Sequence, residues 1–246
     1  MPGLVTGPLR SRRAPFTRPA NRAHRITIVG NGTQLRGVIT DWGGVLTNPI
    51  PAVARAWIEA EGIDRDSYYT VMRSWVSQAY EAGVPNPIHA LERGECTEAE
   101  FERIFAGRLR RLDGGVVGAE GLLRRMFAAS VRVPAMDDLI RTLRAAGLRT
   151  ALLTNSWIHD EYPRADFAEL FDAVVISCEV GMRKPERGIF LHAAQALGLA
   201  PAECVFIDDM KANVAAAVEC GMTGVLHTEA AATAAALHDL LGAPAS

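Results

Sequence analysis

Five short apolar, β-branched runs, each closed by a polar or glycine-containing turn, constrain this chain more than any other feature. They fall at 37–40, 148–154, 173–177, 204–207 and 224–227, and their length and composition predict buried strands. Amphipathic stretches of helical length separate the later four. Among them are 185–197, with a proline in its first turn, and 211–220, ended by Gly221; another, 136–146, ended by Gly147, comes just before the second run. Strands alternating with helices predict a parallel sheet with right-handed crossovers and helices on both faces. In such sheets, ligands gather beyond the carboxyl ends of the strands.

One interval breaks the alternation. Residues 48–131, about eighty positions, contain no convincing strand but carry helical periodicity at 53–60, 67–80 and 98–111. The last of these is entered by a capping box of Thr97 and Glu100. An insertion of this size is too long for a plain crossover. The expected fold is therefore α/β, a Rossmann-like doubly wound parallel sheet with an inserted all-helical cap. The core is expected over 25–47 and 132–246, and the cap over 48–131. Residues 1–24 hold Arg10, Arg12, Arg13, Arg18 and Arg22, four prolines and no acidic residue. They read as a disordered basic tail, although a transit peptide has a similar composition. Residues 25–36 alternate weakly around Asn31-Gly32 and suggest a small hairpin.

Composition removes several function classes. The formal net charge of −2 argues against general affinity for nucleic acid or an anionic membrane, because both require a basic face. No apolar run approaches the roughly 18–20 residues that span a bilayer. Cys96, Cys178, Cys204 and Cys220 stand far apart with no zinc-like spacing, as expected of free thiols in a reducing, cytoplasmic setting. Of 26 basic residues only Lys184 and Lys211 are lysines.

Four polar clusters fall at the ends of the expected strands: Asp41, Thr154-Asn155-Ser156, Lys184 and Asp208-Asp209. Taken singly, Asp41 could be a turn residue and Asp208-Asp209 a helix cap. Together they imply more. Two carboxylate clusters at neighbouring strand ends repel unless a cation lies between them, and a few oxygen ligands suit Mg²⁺ that keeps several waters. Lys184 supplies a point charge at the same rim.

Asp41 to Leu46, Thr154-Asn155, Lys184-Pro185 and Asp208-Asp209, with Asn213 following, match in order and spacing the four motifs of the haloacid dehalogenase superfamily, which residues 37–228 resemble. The insertion is similar to the type-1 cap, and 91–101 (LERGECTEAEF) resembles segments of such caps. The run Thr154-Asn155-Ser156-Trp157 is similar to the phosphatase-like domain at the amino end of soluble epoxide hydrolases and of a related acyl-CoA dehydrogenase fusion protein. The resemblance implies a small phosphorylated substrate and an Asp41 that becomes a transient aspartyl phosphate. It implies Mg²⁺ held by Asp41, the Gly43 carbonyl, Asp208 and Asp209. It also implies a phosphoryl site built from Thr154, Asn155, Lys184, Gly43 and Gly44. Asp209 would complete the metal shell or orient Lys184. A monomer or homodimer is expected.

The sequence departs from that pattern at Gly43. Phosphatases of the superfamily carry a second aspartate there, which protonates the leaving group and then activates water. Such catalysis typically contributes about 10²–10⁴-fold, so alkyl phosphates should suffer most and aryl or acyl phosphates least. One reading is a phosphatase in which a cap residue, a substrate group or water moves the proton. Glu92, Glu95, His89 and Arg93 are candidates, although each also reads as a solvated helix residue. A second class of reading is a non-catalytic module that binds a phosphorylated ligand. The retained Asp41 favours catalysis, because a binding site gains little from a carboxylate facing a phosphate. A dehalogenase ranks lower, since Asp208-Asp209 is intact. Phosphonoacetaldehyde hydrolysis needs a cap lysine for a Schiff base, and 48–131 contains none. Trp42, Trp157 and Tyr162 could line the entrance or simply pack. Ser156 has no identifiable triad partners.

Overall fold

The computed structural model describes residues 34–78, 86–158 and 162–242. The expected tail at 1–24, and most of the hairpin suggested at 25–36, lie outside these residues. The described residues form a five-stranded sheet in the order β3-β2-β1-β4-β5. The strands are β1 (Gly37–Thr40), β2 (Arg149–Thr154), β3 (Ala173–Ile176), β4 (Cys204–Asp208) and β5 (Thr223–Leu226). All four pairings are parallel. The chain leaves β1 toward β2 and later returns to place β4 on the other side of β1, so the switch point of the sheet lies between β1 and β4. Thr40 pairs with Ile207, which aligns the ends of these two strands.

Parallel strands covered on both faces should be apolar throughout, and β1, β4 and most of β2 are buried along their length. One face packs against α6 (Pro134–Ala145), α7 (Arg164–Leu170) and α11 (Ala230–Leu241), around Val38, Leu152, Val205 and Leu237. The other packs against α9 (Arg187–Ala196) and α10 (Lys211–Glu219), around Ile39, Leu153, Phe190 and Phe206.

The insertion has an apolar cluster of its own. Helices α1 (Ile50–Glu61), α2 (Arg65–Gln78), α3 (Pro87–Glu92), α4 (Glu98–Ala106) and α5 (Leu122–Phe127) gather around Trp57, Trp75, Leu91, Phe101, Phe105 and Leu122. One antiparallel bridge, between Thr47 and Arg132, draws its two ends together: Val133 N–H donates to Leu46 O at 2.9 Å and Asn48 N–H to Val131 O at 3.0 Å. Among the described residues, no helix is long and apolar enough to cross a membrane.

Among the boundaries that differ from those expected, two have a direct structural reason. The periodicity at 98–111 predicts one helix, but α4 stops at Ala106 with Gly107 as its cap. The remainder turns back on the loop before α2, where Leu112 N–H donates to Gly62 O and Asp64 N–H to Arg110 O, both at 2.8 Å. Those long-range backbone bonds replace the helical ones. The helix expected to open at Pro185 instead begins at Arg187, leaving Pro185 in the connection that carries Lys184. The capping box is present as expected: Glu100 N–H donates to Thr97 Oγ1 and Thr97 N–H to Glu100 Oε2.

Candidate active site

Asp41 follows β1 directly. Its N–H donates to Ile207 O at 2.9 Å, extending the β1–β4 ladder by one residue and setting Asp41 beside Asp208. The chain then turns sharply: Trp42 O accepts from the N–H groups of Val45, Leu46 and Thr47, and buried Val45 and Leu46 hold the turn against the core. Within it, Gly44 has a φ of +78°, and its N–H donates to Thr47 Oγ1 at 3.1 Å. A Cβ at Gly44 would lie 2.4 Å from Asp209 Oδ2. Gly44→Ala therefore combines a left-handed backbone with a collision. The expected result is a loss of about 1–3 kcal/mol in urea unfolding, in the range of such backbone strain alone.

Lys184 is 1% exposed and lies between two carboxylates, with Nζ 2.7 Å from Asp41 Oδ1 and 2.7 Å from Asp208 Oδ2. Asp208 is fully buried and further fixed by Met210 N–H and Asn213 Nδ2, which donate to its Oδ1 at 2.8 and 3.0 Å. Asp41, Asp208 and Asp209 each offer a carboxylate oxygen, and the three oxygens lie within 4.8 Å of one another. One ammonium thus pairs with two of three clustered carboxylates. Burial would push Lys184 down, but Asp208 and Asp41 override it and hold the ammonium well above its usual value. Burial, reinforced by the charges of Asp208 and Asp209 against the pull of Lys184, pushes Asp41 from 3.8 up to about 7. Asp209 is raised to about 6, by burial first and then by Asp208.

A carboxyl raised on folding contributes stability below its unfolded pKa and loses it as pH rises through the folded value. In EDTA, the melting temperature of the wild type relative to Asp41→Asn should therefore fall as pH rises from about 4 to about 7. A flat difference across that range would mean that Asp41 carries no such strain.

The second cluster ends β2. Thr154 Oγ1 lies 3.4 Å from the Tyr162 hydroxyl, whose pKa is pushed up to about 12 by burial, so the phenol stays neutral. Asn155 turns both atoms of its amide to one backbone unit, with Oδ1 accepting from Lys184 N–H at 2.8 Å and Nδ2 donating to Lys184 O at 3.0 Å. Trp42 packs edge-on against Tyr162 and Phe167, with the Arg132 guanidinium 4.7 Å from its ring centroid.

Of the cap candidates Glu95 is exposed, as its setting suggests, whereas Glu92 is buried and His89 and Arg93 are half-buried. Glu92 is buried, and its oxygens accept from Trp157 Nε1 at 3.0 Å and from Arg183 Nε. Arg93 pairs with Glu186. His89 is driven down to about 4 by burial and by Arg183 and Arg93, so it is neutral at pH 7. Glu95 has an exposed side chain 3.9 Å from Arg93. Beside Gly43 stands Ile50, the first residue of α1: a Cβ at Gly43 would lie 3.2 Å from Ile50 Cδ1. Pattern reading missed the Ile50, Glu92 and Arg183 contacts, for which no local signal exists.

Comparison with known proteins places these features. A model of haloacid dehalogenase-like hydrolases matches residues 35–221. The sesquiterpene phosphatase astK of Aspergillus oryzae is 33% identical over 215 residues, 85% of this chain and 98% of that protein. Mouse bifunctional epoxide hydrolase 2 is 28% identical over 84% of this chain, which spans only 38% of that protein's length. The solved structure of bt-2542, a HAD family enzyme of Bacteroides thetaiotaomicron, superposes with a TM-score of 0.58 at 21% identity, covering 80% of this chain and 95% of that one.

Proposed function

Because this chain belongs to the haloacid dehalogenase-like hydrolases, we propose that it is a Mg²⁺-dependent phosphatase of small molecules that works through an aspartyl phosphate on Asp41. The observation that carries this reading is the clustering of the Asp41, Asp208 and Asp209 carboxylates, the first two of them buried and bridged by the ammonium of Lys184. The phosphatase name of the Aspergillus relative supports it.

The donor set fits a divalent cation. Three carboxylates, two of them buried and one half-buried, outnumber one ammonium, and hard oxygen donors suit Mg²⁺. Asp41, Asp208 and Asp209 would hold it, with the Gly43 carbonyl as a further ligand. Bound there, it supplies cancellation of charge between the carboxylates and an incoming phosphate. The rest of the chemistry belongs to the protein. An Asp41 oxygen attacks phosphorus, and the bond from phosphorus to the leaving oxygen breaks. Water then attacks the aspartyl phosphate, releasing inorganic phosphate and restoring the Asp41 carboxylate. Thr154 binds a phosphoryl oxygen, and Lys184 neutralises Asp41 before attack and the phosphoryl group during it. Asn155 keeps Lys184 in place by gripping its backbone on both sides.

Gly43 sets the substrate preference. Ile50 is an apolar neighbour of this position, and among the cap candidates Glu92 and Arg93 are paired, His89 is neutral and Glu95 is exposed beside Arg93. With no carboxyl at this position to protonate a departing alkoxide, the favoured substrates are aryl or acyl phosphates, whose leaving groups depart as stable anions. Residues 48–131 form a cap that contributes this apolar wall and selects the rest of the substrate.

The test is hydrolysis of a small aryl phosphate with Mg²⁺, with EDTA and with Asp41→Asn. Turnover that requires both Mg²⁺ and Asp41 is the expected result. Equal rates for wild type and Asp41→Asn would defeat the phosphatase reading. The apolar surroundings of Gly43 would then favour a module that binds a phosphorylated ligand without turning it over.

A further inference from the structure

We propose that Glu92, in the helical insertion, is a positioning residue for Lys184, joining the segment that carries Thr154 and Asn155 to the segment that carries the lysine. This rests on the roles assigned above to Asp41 and Lys184.

Glu92 ends α3, is 5% exposed, and divides its two oxygens between the two segments. Oε1 accepts from the indole N–H of Trp157, two residues past Asn155, at 3.0 Å. Oε2 accepts from Nε of Arg183, the residue before Lys184. The circuit closes through the core, because Asn155 holds the N–H and the carbonyl of Lys184. One buried carboxylate from the insertion therefore completes a ring of contacts that runs from Arg183 through Lys184 and Asn155 to Trp157.

Two neighbouring contacts fix how the insertion meets this ring. Arg93 pairs with Glu186, two residues beyond Lys184, and its Nε donates to Glu186 Oε1 at 3.0 Å. The order negative-positive at 92–93 thus meets positive at Arg183 and negative at Glu186, and a shift that brought like charges together would be repelled. Gly94 then passes against α8 (Ser177–Val180), where a Cβ would lie 2.8 Å from Cys178 O. The backbone of the insertion rests directly on the core at this point.

Lys184 has little tolerance for movement. Its Nζ serves two carboxylates at 2.7 Å each, and misplacement by about 1 Å in an active site can cost on the order of 10²-fold. With Glu92 cut back, Arg183 loses its buried partner and Trp157 its acceptor, so both ends of the ring are released together.

The experiment is a double-mutant cycle of Glu92→Ala and Arg183→Ala, with kcat and KM for an aryl phosphate measured in saturating Mg²⁺ beside melting temperatures. The expected result is a fall in kcat of at least tenfold in each single variant, with KM changed much less. The double variant should be no worse than the poorer single, as for groups acting through one connection. Trp157→Phe keeps packing against Phe101 and Phe127 while losing only the N–H donor, and should lower kcat in the same direction even if the alanine variants fold poorly. Melting temperatures that fall while kcat per folded molecule holds would overturn the proposal, as would effects that multiply in the double variant. A wild type without Asp41-dependent turnover would instead remove the phosphatase reading, and this role with it.

Discussion

Lys184→Met should reduce turnover of an aryl phosphate by about 10²–10³-fold or more, the range seen when a single preorganised donor to developing charge is removed. The reason lies in the count of charges. Among the described residues Lys184 is the one cation in contact with both Asp41 and Asp208, and it is 1% exposed, so water cannot take its place. Methionine fills a similar volume but leaves both carboxylates without that partner. Breaking a buried pair in this way typically costs about 3–5 kcal/mol, because an uncompensated charge stays behind. The cost should appear in urea unfolding with EDTA and shrink when Mg²⁺ is added, since the cation restores part of the lost neutralisation. A variant within tenfold of wild-type turnover would show that Lys184 is a structural counter-ion alone. A stability loss that ignores Mg²⁺ would separate the lysine from the cation site.

Gly43→Asp should change activity in the opposite direction. The expected gain is on the order of 10²–10⁴-fold for alkyl phosphates, the usual contribution of general acid–base catalysis, and far smaller for aryl phosphates that leave without a proton. Gly43 has no positive φ, so an aspartate is compatible with its backbone, unlike the neighbouring Gly44. Space is the remaining obstacle. The new Cβ would lie 3.2 Å from Ile50 Cδ1, the end of a flexible side chain, and a shift of a few tenths of an ångström is needed. Ile50→Val combined with Gly43→Asp should therefore outperform Gly43→Asp alone. Equal rates for alkyl and aryl phosphates in the wild type would contradict the premise that proton donation is the missing function.

Much of this arrangement is legible in the residues themselves. The strands end where polar residues begin, since a buried parallel strand must be apolar until it reaches the rim. That rule suffices to bring Asp41, Thr154 and Asp208 to one edge of the sheet. Capping chemistry is equally local: Thr97 and Glu100 mark the start of α4 because three residues are enough to close the box. The start of α3 carries a comparable signal in Asn86-Pro87, with Asn86 Oδ1 accepting from Ile88 N–H at 3.0 Å. That helix escapes detection only because six residues are too few to display a period. The amino end of α5 has no such signal. Its free N–H groups are met by the Glu102 carboxylate of α4, which accepts from Gly121 and Leu123 at 3.0 and 2.9 Å.

By itself, then, the sequence determined the alternation of strand and helix, the size of the insertion and the chemical types at the rim. These follow from periodicity, capping and turn chemistry, which act over a few residues. Tertiary structure alone decided what those residues do to one another. Glu92 meets Arg183 across 91 positions, Arg93 meets Glu186 across 93, and Asn155 grips Lys184 across 29. Ile50 comes to stand beside Gly43 only once α1 is in place over the strand ends. Contacts of this kind leave no periodic trace, because their strength depends on burial and on the angle at which two distant segments meet. The same dependence makes Lys184 a buried ion between two carboxylates, where in the unfolded chain it is one solvated lysine of two.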